Sequence, residues 1–173
     1  MAKVIFGGTL VNTSGELPKI GAVAPDAILV DKTLQSTTLH GHGGIRVLNI
    51  FPSVATPVCQ ASVRRFHDEI SKLPGVTLLN ISKDLPFAQT SFCAAKGLDD
   101  VKMLSTFRGS FGRDFGLEFI ESPFEGLLSR AVLILDANDK VLYGQQAQST
   151  DEEPNYEPVL AALKQATDIA SQP

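Results

Sequence analysis

Apolar residues recur along this chain with two distinct periods. Short apolar runs at Ala27-Ile28-Leu29-Val30, Arg46-Val47-Leu48-Asn49-Ile50-Phe51 and Val76-Thr77-Leu78-Leu79-Asn80-Ile81-Ser82 are too brief for helices, and they read as strands, the last two as buried ones. Between those two, Val58, Ala61, Val63, Phe66, Ile70 and Leu73 return at roughly helical spacing. That spacing predicts a helix over about 57–73, stopped by Pro74-Gly75. Further helices are expected at about 86–96 and 155–169, a short strand at 101–107 and a short helical turn at 111–116. Ala131 to Asp136 and Lys140 to Gly144 predict a hairpin across Ala137-Asn138-Asp139, and an N-terminal hairpin over about 3–12 turns at Gly7-Gly8. Strands mixed with helices, with one clear late hairpin, imply an α/β layer built on a mixed sheet.

Composition narrows the class. A chain of 173 residues with 43% hydrophobic and 20% charged residues can bury a real core, and it reads as a single domain over 1–173. The net charge is −4 and no Lys/Arg cluster exceeds a pair, which argues against nucleic acid as the main partner. No apolar run approaches the ~20 residues of a membrane span. The N-terminal stretch lacks the charged, apolar and cleavage regions of an export signal, so the expected location is the cytoplasm.

The candidate chemistry lies where the second strand meets the first helix. Thr56 suits an N-cap and Pro57 the first helical position, so Cys59 falls in the first turn among unpaired backbone N–H groups at the positive end of the helix dipole. That environment favours a thiolate, the reactive form of cysteine. The second cysteine, Cys93, falls in the next helix beside Phe92 and Ala94. In a cytoplasmic chain such a pair reads either as buried thiols or as a working redox couple. It fits no usual zinc framework, since the nearby imidazoles, His40 and His42, sit in a Gly-rich loop. That loop, His-Gly-His-Gly-Gly, is neither a phosphate loop nor a dinucleotide fingerprint. His67 lies eight residues beyond Cys59 on the same helix, about 12 Å further along, too far to act as its base.

Pro52, Thr56 and Cys59 form the pattern Pro-x-x-x-Thr-x-x-Cys, which resembles the active-site signature of the peroxiredoxins. The stretches NIFPSVATPVCQASVRRF, ISKDLPFAQTSFCAAKGL, LSTFRGS and SRAVLILDANDKVLY are similar, in order and spacing, to the bacterial thiol peroxidases, an atypical two-cysteine branch of that family. The resemblance implies a thioredoxin-like fold, with a central mixed β-sheet flanked by helices and an N-terminal β-hairpin. It implies Cys59 as the peroxidatic nucleophile, converted by a hydroperoxide to a sulfenic acid. It implies Cys93 as the resolving cysteine, which forms a disulfide with Cys59 that thioredoxin then reduces. Thr56 and Arg130 would stabilise the thiolate and orient the peroxide, Pro52 would shield the site, and the Cys59 N–H would complete an oxyanion-type site. The substrates would be hydrogen peroxide and organic hydroperoxides; apart from the resemblance, the apolar residues Phe51, Leu127 or Leu128 near the site are expected to form a wall that favours alkyl hydroperoxides. No flavin, haem or metal is implied, and a homodimer is.

Two physical limits apply. A free thiol of pKa ~8.5 is only about 3% ionised at pH 7, so full ionisation gains ~30-fold, or ~2 kcal/mol. Enzymes lower barriers by ~8 kcal/mol or more, so fixed donors must also stabilise the stretching O–O bond. A Cys59–Cys93 disulfide needs the two α-carbons within ~4.4–6.8 Å, which predicts partial unwinding of both helix turns. Three rival readings remain open at this stage. A thiol-disulfide oxidoreductase should carry Cys-x-x-Cys, whereas Thr56 occupies the first of those positions. A redox-sensing module would react once without sustained turnover, and a secreted domain would hold a structural disulfide.

Overall fold

The computed structural model describes residues 1–172, and Pro173, the last residue of the domain expected over 1–173, lies outside them. A two-stranded antiparallel hairpin, β1 (Lys3–Phe6) and β2 (Thr9–Asn12), comes first. Gly7 and Gly8 form its turn, both at positive φ, where a side chain would be strained. The body is a seven-stranded mixed sheet. Its strands in chain order are β3 (Ile28–Val30), β4 (Ser36–Thr38), β5 (Ile45–Ile50), β6 (Val76–Ser82), β7 (Met103–Ser105), β8 (Ala131–Leu135) and β9 (Val141–Gln146). Across the sheet they run β4-β3-β7-β6-β5-β8-β9. β5, β6 and β7 are parallel, and β8, β9, β3 and β4 join antiparallel on either side. Helices α1 (Pro57–Ile70), α2 (Pro86–Lys96), α3 (Phe111–Asp114) and α4 (Tyr156–Ala170) complete the chain.

The central strands are apolar on both faces because both faces are covered. Leu48 and Ile50 of β5 join Leu79, Ile81, Leu133 and Leu135 in one cluster, which Phe111, Phe115 and Leu117 close from below. The alternate residues Ile45, Val47, Val132 and Ile134 face the opposite way, against Phe66 and Ile70 of α1 and Val159 and Leu163 of α4. A third cluster gathers at the carboxyl end of β5, where Phe51, Val54, Cys59, Val63, Phe92, Cys93, Leu98 and Met103 pack together. Both cysteines therefore belong to one apolar nucleus.

The observed elements shift several expected boundaries. α1 ends at Ile70 rather than Leu73, because Leu73 precedes Pro74 and is steered away from helical angles. Leu73 is accordingly 36% exposed instead of packed. The strand expected over 101–107 is confined to Met103–Ser105, and β9 runs on to Gln146. β4 has no counterpart in the expected pattern, since Ser-Thr-Thr offers no apolar alternation and pairs as an edge strand on β3. Arg46 lies inside the apolar β5 and is fully buried. Its guanidinium donates to the carbonyls of Gly44, Leu39 and Asp136, and it pairs with Asp139 at 2.6 Å. A buried charge is tolerated only when it is partnered in this way.

Candidate active site

The chain leaves β5 at Ile50, passes through Phe51 and Pro52, and enters α1 at Pro57, so the β5–α1 turn places Cys59 at the carboxyl end of an interior strand. Thr56 is the N-cap in extended conformation, and its Oγ1 accepts from the Cys59 N–H at 3.3 Å. The Thr56 hydroxyl donates to Ser53 O at 3.4 Å. In this state the Thr56 oxygen and the Cys59 amide are engaged with each other, and the amide expected to complete an oxyanion-type site is occupied in capping. Ser62 Oγ donates to the Cys59 carbonyl at 2.8 Å and accepts from Asn49 Nδ2 at 3.3 Å. Asn49 Nδ2 also donates to Asn80 Oδ1 at 3.0 Å, so the first turn of α1 rests on a buried polar ladder across β5 and β6.

Arg130 reaches the same point from another strand. Ala131 pairs with Ile50 in the antiparallel β5–β8 register, which sets Arg130 beside the residues leaving β5. Its Nη2 donates to Cys59 Sγ at 3.4 Å and to Thr150 O at 3.5 Å. Cys59 is fully buried and Arg130 is 3% exposed. Arg130 Nε and Nη1 are buried without a hydrogen-bond partner among the described residues. A cavity of about 320 Å³ opens there, with Pro52, Thr56, Val58, Arg130, Phe6 and Phe124 on its walls. The apolar wall is thus Phe6, Val58 and Phe124, and not Phe51, Leu127 or Leu128. Phe51 is sealed in the nucleus beneath, and Leu127 and Leu128 are absent from the lining. Phe6 and Phe124 meet edge to face at 4.8 Å.

Cys93 lies on the inner face of α2, buried and unbonded, and both cysteines are free thiols. Burial pushes the Cys93 thiol above its ordinary pKa, Asp99 adds to this, and Lys32 opposes it. A separate cavity of about 520 Å³ reaches Cys93, lined also by Lys32, His42, Gln89 and Met103, and it shares no residue with the cavity beside Cys59. The sequence-derived set therefore divides. Pro52, Thr56, Cys59 and Arg130 converge on one point, and Cys93 stands apart within the same nucleus. The histidines lie elsewhere, with His67 facing Asp100, His42 beside Thr37 and His40 against the Ala24 carbonyl. Among the described residues no group of three or more His, Cys, Asp or Glu side chains is placed to hold a metal ion. No described helix is long and apolar enough to cross a membrane.

The sequence reading did not pick out Phe6, Phe124, Thr150 or Asp84. Phe6 and Phe124 carried no local signal, because the folding of the hairpin onto the body brings them together. Asp84 stands just before Leu85, the N-cap residue of α2, and an acidic residue ahead of an expected helix start is the signal that could have marked it.

Comparison with known proteins bears on this arrangement. The Redoxin family model matches residues 19–160, a span that contains both cysteines and Arg130. The chain belongs to the Redoxin family, and within it to the thiol peroxidases. The thiol peroxidase of Mycobacterium tuberculosis (strain H37Rv) is 46% identical over 164 residues, which cover 94% of this chain and 99% of that protein. The thiol peroxidase of Corynebacterium glutamicum is 45% identical with the same coverage. Among solved structures, a peroxiredoxin-like protein from Aquifex aeolicus superposes with a TM-score of 0.90 at 34% identity, covering 95% of this chain and 96% of that one. The mixed sheet with flanking helices and an N-terminal hairpin is thus the thioredoxin-like fold of this family. The hairpin precedes the span matched by the family model, yet it supplies Phe6 to the cavity wall.

Proposed function

We propose that the protein is a cytoplasmic thiol-dependent peroxidase whose single domain reduces hydrogen peroxide and organic hydroperoxides at Cys59. The Cys59 thiolate attacks the terminal oxygen of the hydroperoxide and the O–O bond breaks. The sulfur becomes a sulfenic acid, and the leaving oxygen takes a proton and departs as water or an alcohol. Cys93 then attacks the Cys59 sulfur, a disulfide forms and water leaves. Thioredoxin returns both cysteines to thiols by dithiol–disulfide exchange. A homodimer completes the reading, and it rests on family membership alone.

The observation that carries this reading is the Arg130 guanidinium. One nitrogen donates to Cys59 Sγ, and two more stand unpaired and buried beside an open cavity. A sulfur flanked by unspent donors is what a stretching O–O bond requires. Thr56 caps the turn and offers its hydroxyl to a peroxide that displaces the long bond to Ser53. Pro52 walls the site from water. Phe6 and Phe124 give the cavity room and apolar surface for an alkyl group.

The test is hydroperoxide consumption coupled to thioredoxin and its reductase. Wild type turns over, Cys59→Ser does not, and Cys93→Ser consumes one equivalent and then stalls with thioredoxin. An inactive wild type, or an active Cys59→Ser, overturns the reading in favour of a sensor or binding module.

A further inference from the structure

A polar chain links the loop before Cys59 to the helix that carries Cys93, and its centre is Asp84. Asp84 lies between the end of β6 at Ser82 and the start of α2 at Pro86. Its Oδ1 accepts from Ser53 Oγ at 2.7 Å, and its Oδ2 accepts from the Val54 N–H at 2.9 Å. The second oxygen also accepts from Ser82 Oγ at 2.6 Å. The Asp84 carbonyl accepts from Ser105 Oγ, which anchors the residue to the end of β7. Ser82 Oγ accepts in turn from Gln89 Nε2 at 3.1 Å, and the same nitrogen donates to Leu104 O at 3.0 Å. Gln89 is buried and stands one helical turn before Cys93, on the same inner face of α2.

We propose that Asp84 is a positioning residue that clasps the two cysteine-bearing segments together, so that the loop leading to Cys59 and the first turns of α2 open as one unit. This deepens the reading of Cys59 and Cys93 as a redox pair and rests on it. The physical reason is economy of unpaired groups. If the 53–58 loop leaves alone, a carboxylate in a partly buried site loses two of its three donors. If α2 leaves alone, the buried Ser82 Oγ and Leu104 carbonyl lose the Gln89 donor. Opening both at once uncovers Asp84 and Ser82 from both sides, so water can replace the partners that each loses. Closed, the clasp holds Pro52, Thr56 and Cys59 against Arg130 for reaction with peroxide. Open, it frees both sulfurs to form the disulfide.

Amide hydrogen exchange on the reduced full-length protein tests this without requiring turnover. In Asp84→Asn, which keeps the shape and removes the charge, amides at 53–62 and at 86–93 should exchange faster together, by about tenfold. Ser53→Ala, which touches no bond within α2, should produce the same paired change to a smaller degree. Rapid quenching with intact mass spectrometry supplies the second readout. Asp84→Asn should react more slowly with hydroperoxide yet show less sulfinic acid at Cys59, because faster opening lets Cys93 resolve the sulfenic acid sooner. Faster exchange confined to 53–62 in both variants overturns the clasp, as does slower reaction with peroxide and unchanged or increased sulfinic acid. A wild type without turnover would overturn the peroxidase reading and leave the exchange result standing.

Discussion

A buried guanidinium with unpaired nitrogens is costly, and Arg130 carries that cost beside an open cavity. Its neighbours Ser129 and Ala131 are buried as well, and Arg130 lines the cavity beside Cys59. The planar fork lets one nitrogen address the Cys59 sulfur while others face the cavity, and a lysine has a single point charge that cannot do both. Arg130→Lys should therefore lower kcat/KM for hydroperoxide by about 10²-fold, with the melting temperature little changed. Activity within a factor of about three of wild type would remove Arg130 from the reaction. At Thr56 the hydroxyl has two demands on it, capping and substrate, and the structure shows the capping bond made.

The helices explain why the two cysteines differ. Cys59 occupies the first turn of α1, at the positive end of the helix dipole, and Arg130 lies against the sulfur. Cys93 lies in the second half of α2, whose last turn is closed by Gly97 in the left-handed conformation bonding back to the Cys93 carbonyl. Burial and Asp99 keep the Cys93 thiol protonated. The folded state thus holds that proton more strongly than the unfolded chain. The resulting stabilisation is complete below the ordinary thiol pKa of ~8.5 and is lost as pH rises through the higher folded value. Urea midpoints should fall between pH 7.5 and pH 10 by more in wild type than in Cys93→Ser, which cannot ionise. Parallel declines in both would show that Cys93 does not carry this dependence.

At the scale of the molecule, the active site is assembled from parts far apart in the chain. The N-terminal hairpin forms its own two-stranded sheet and is fastened to the body by Val4, Val11 and Phe119, with Phe6 and Phe124 packed against them. Further ties run from Ala2 N–H to Gly15 O and from Ile5 N–H to Gln148 O. Gly116 shows how closely the connector is laid down, since a Cβ there would meet the Glu16 backbone at 2.4 Å. This docking makes Phe6 part of the Cys59 cavity. Phe6→Ala should cut kcat/KM for cumene hydroperoxide by about fivefold while leaving hydrogen peroxide nearly unaffected. An equal loss for both substrates would mean that Phe6 supports the fold rather than the choice of substrate.

Local rules acting within a few residues were legible in the chain. The apolar runs of β5, β6 and β8, the helical spacing of α1, Thr56 before Pro57 as a cap, the Gly7-Gly8 turn and the placement of Cys59 in a first turn all follow from neighbouring side chains and backbone geometry. The Pro-x-x-x-Thr-x-x-Cys pattern carried the candidate chemistry for the same reason, since its residues share one turn. Contacts that span the chain were not legible. β4 exists only because β3 offers it an edge, and Arg46 is tolerated inside an apolar strand only because distant carbonyls and Asp139 fold around it. Strand patterning does not distinguish Arg130, which only the family resemblance singled out, and it is the antiparallel β5–β8 register that sets it against Cys59. Phe6 and Phe124 entered the cavity, and Asp84 the polar chain between the cysteines, through packing and register that no local pattern encodes. Sequence determined the elements and the nucleophile's turn, and tertiary structure alone decided which distant donors and walls would surround it, because those depend on how whole strands and helices dock.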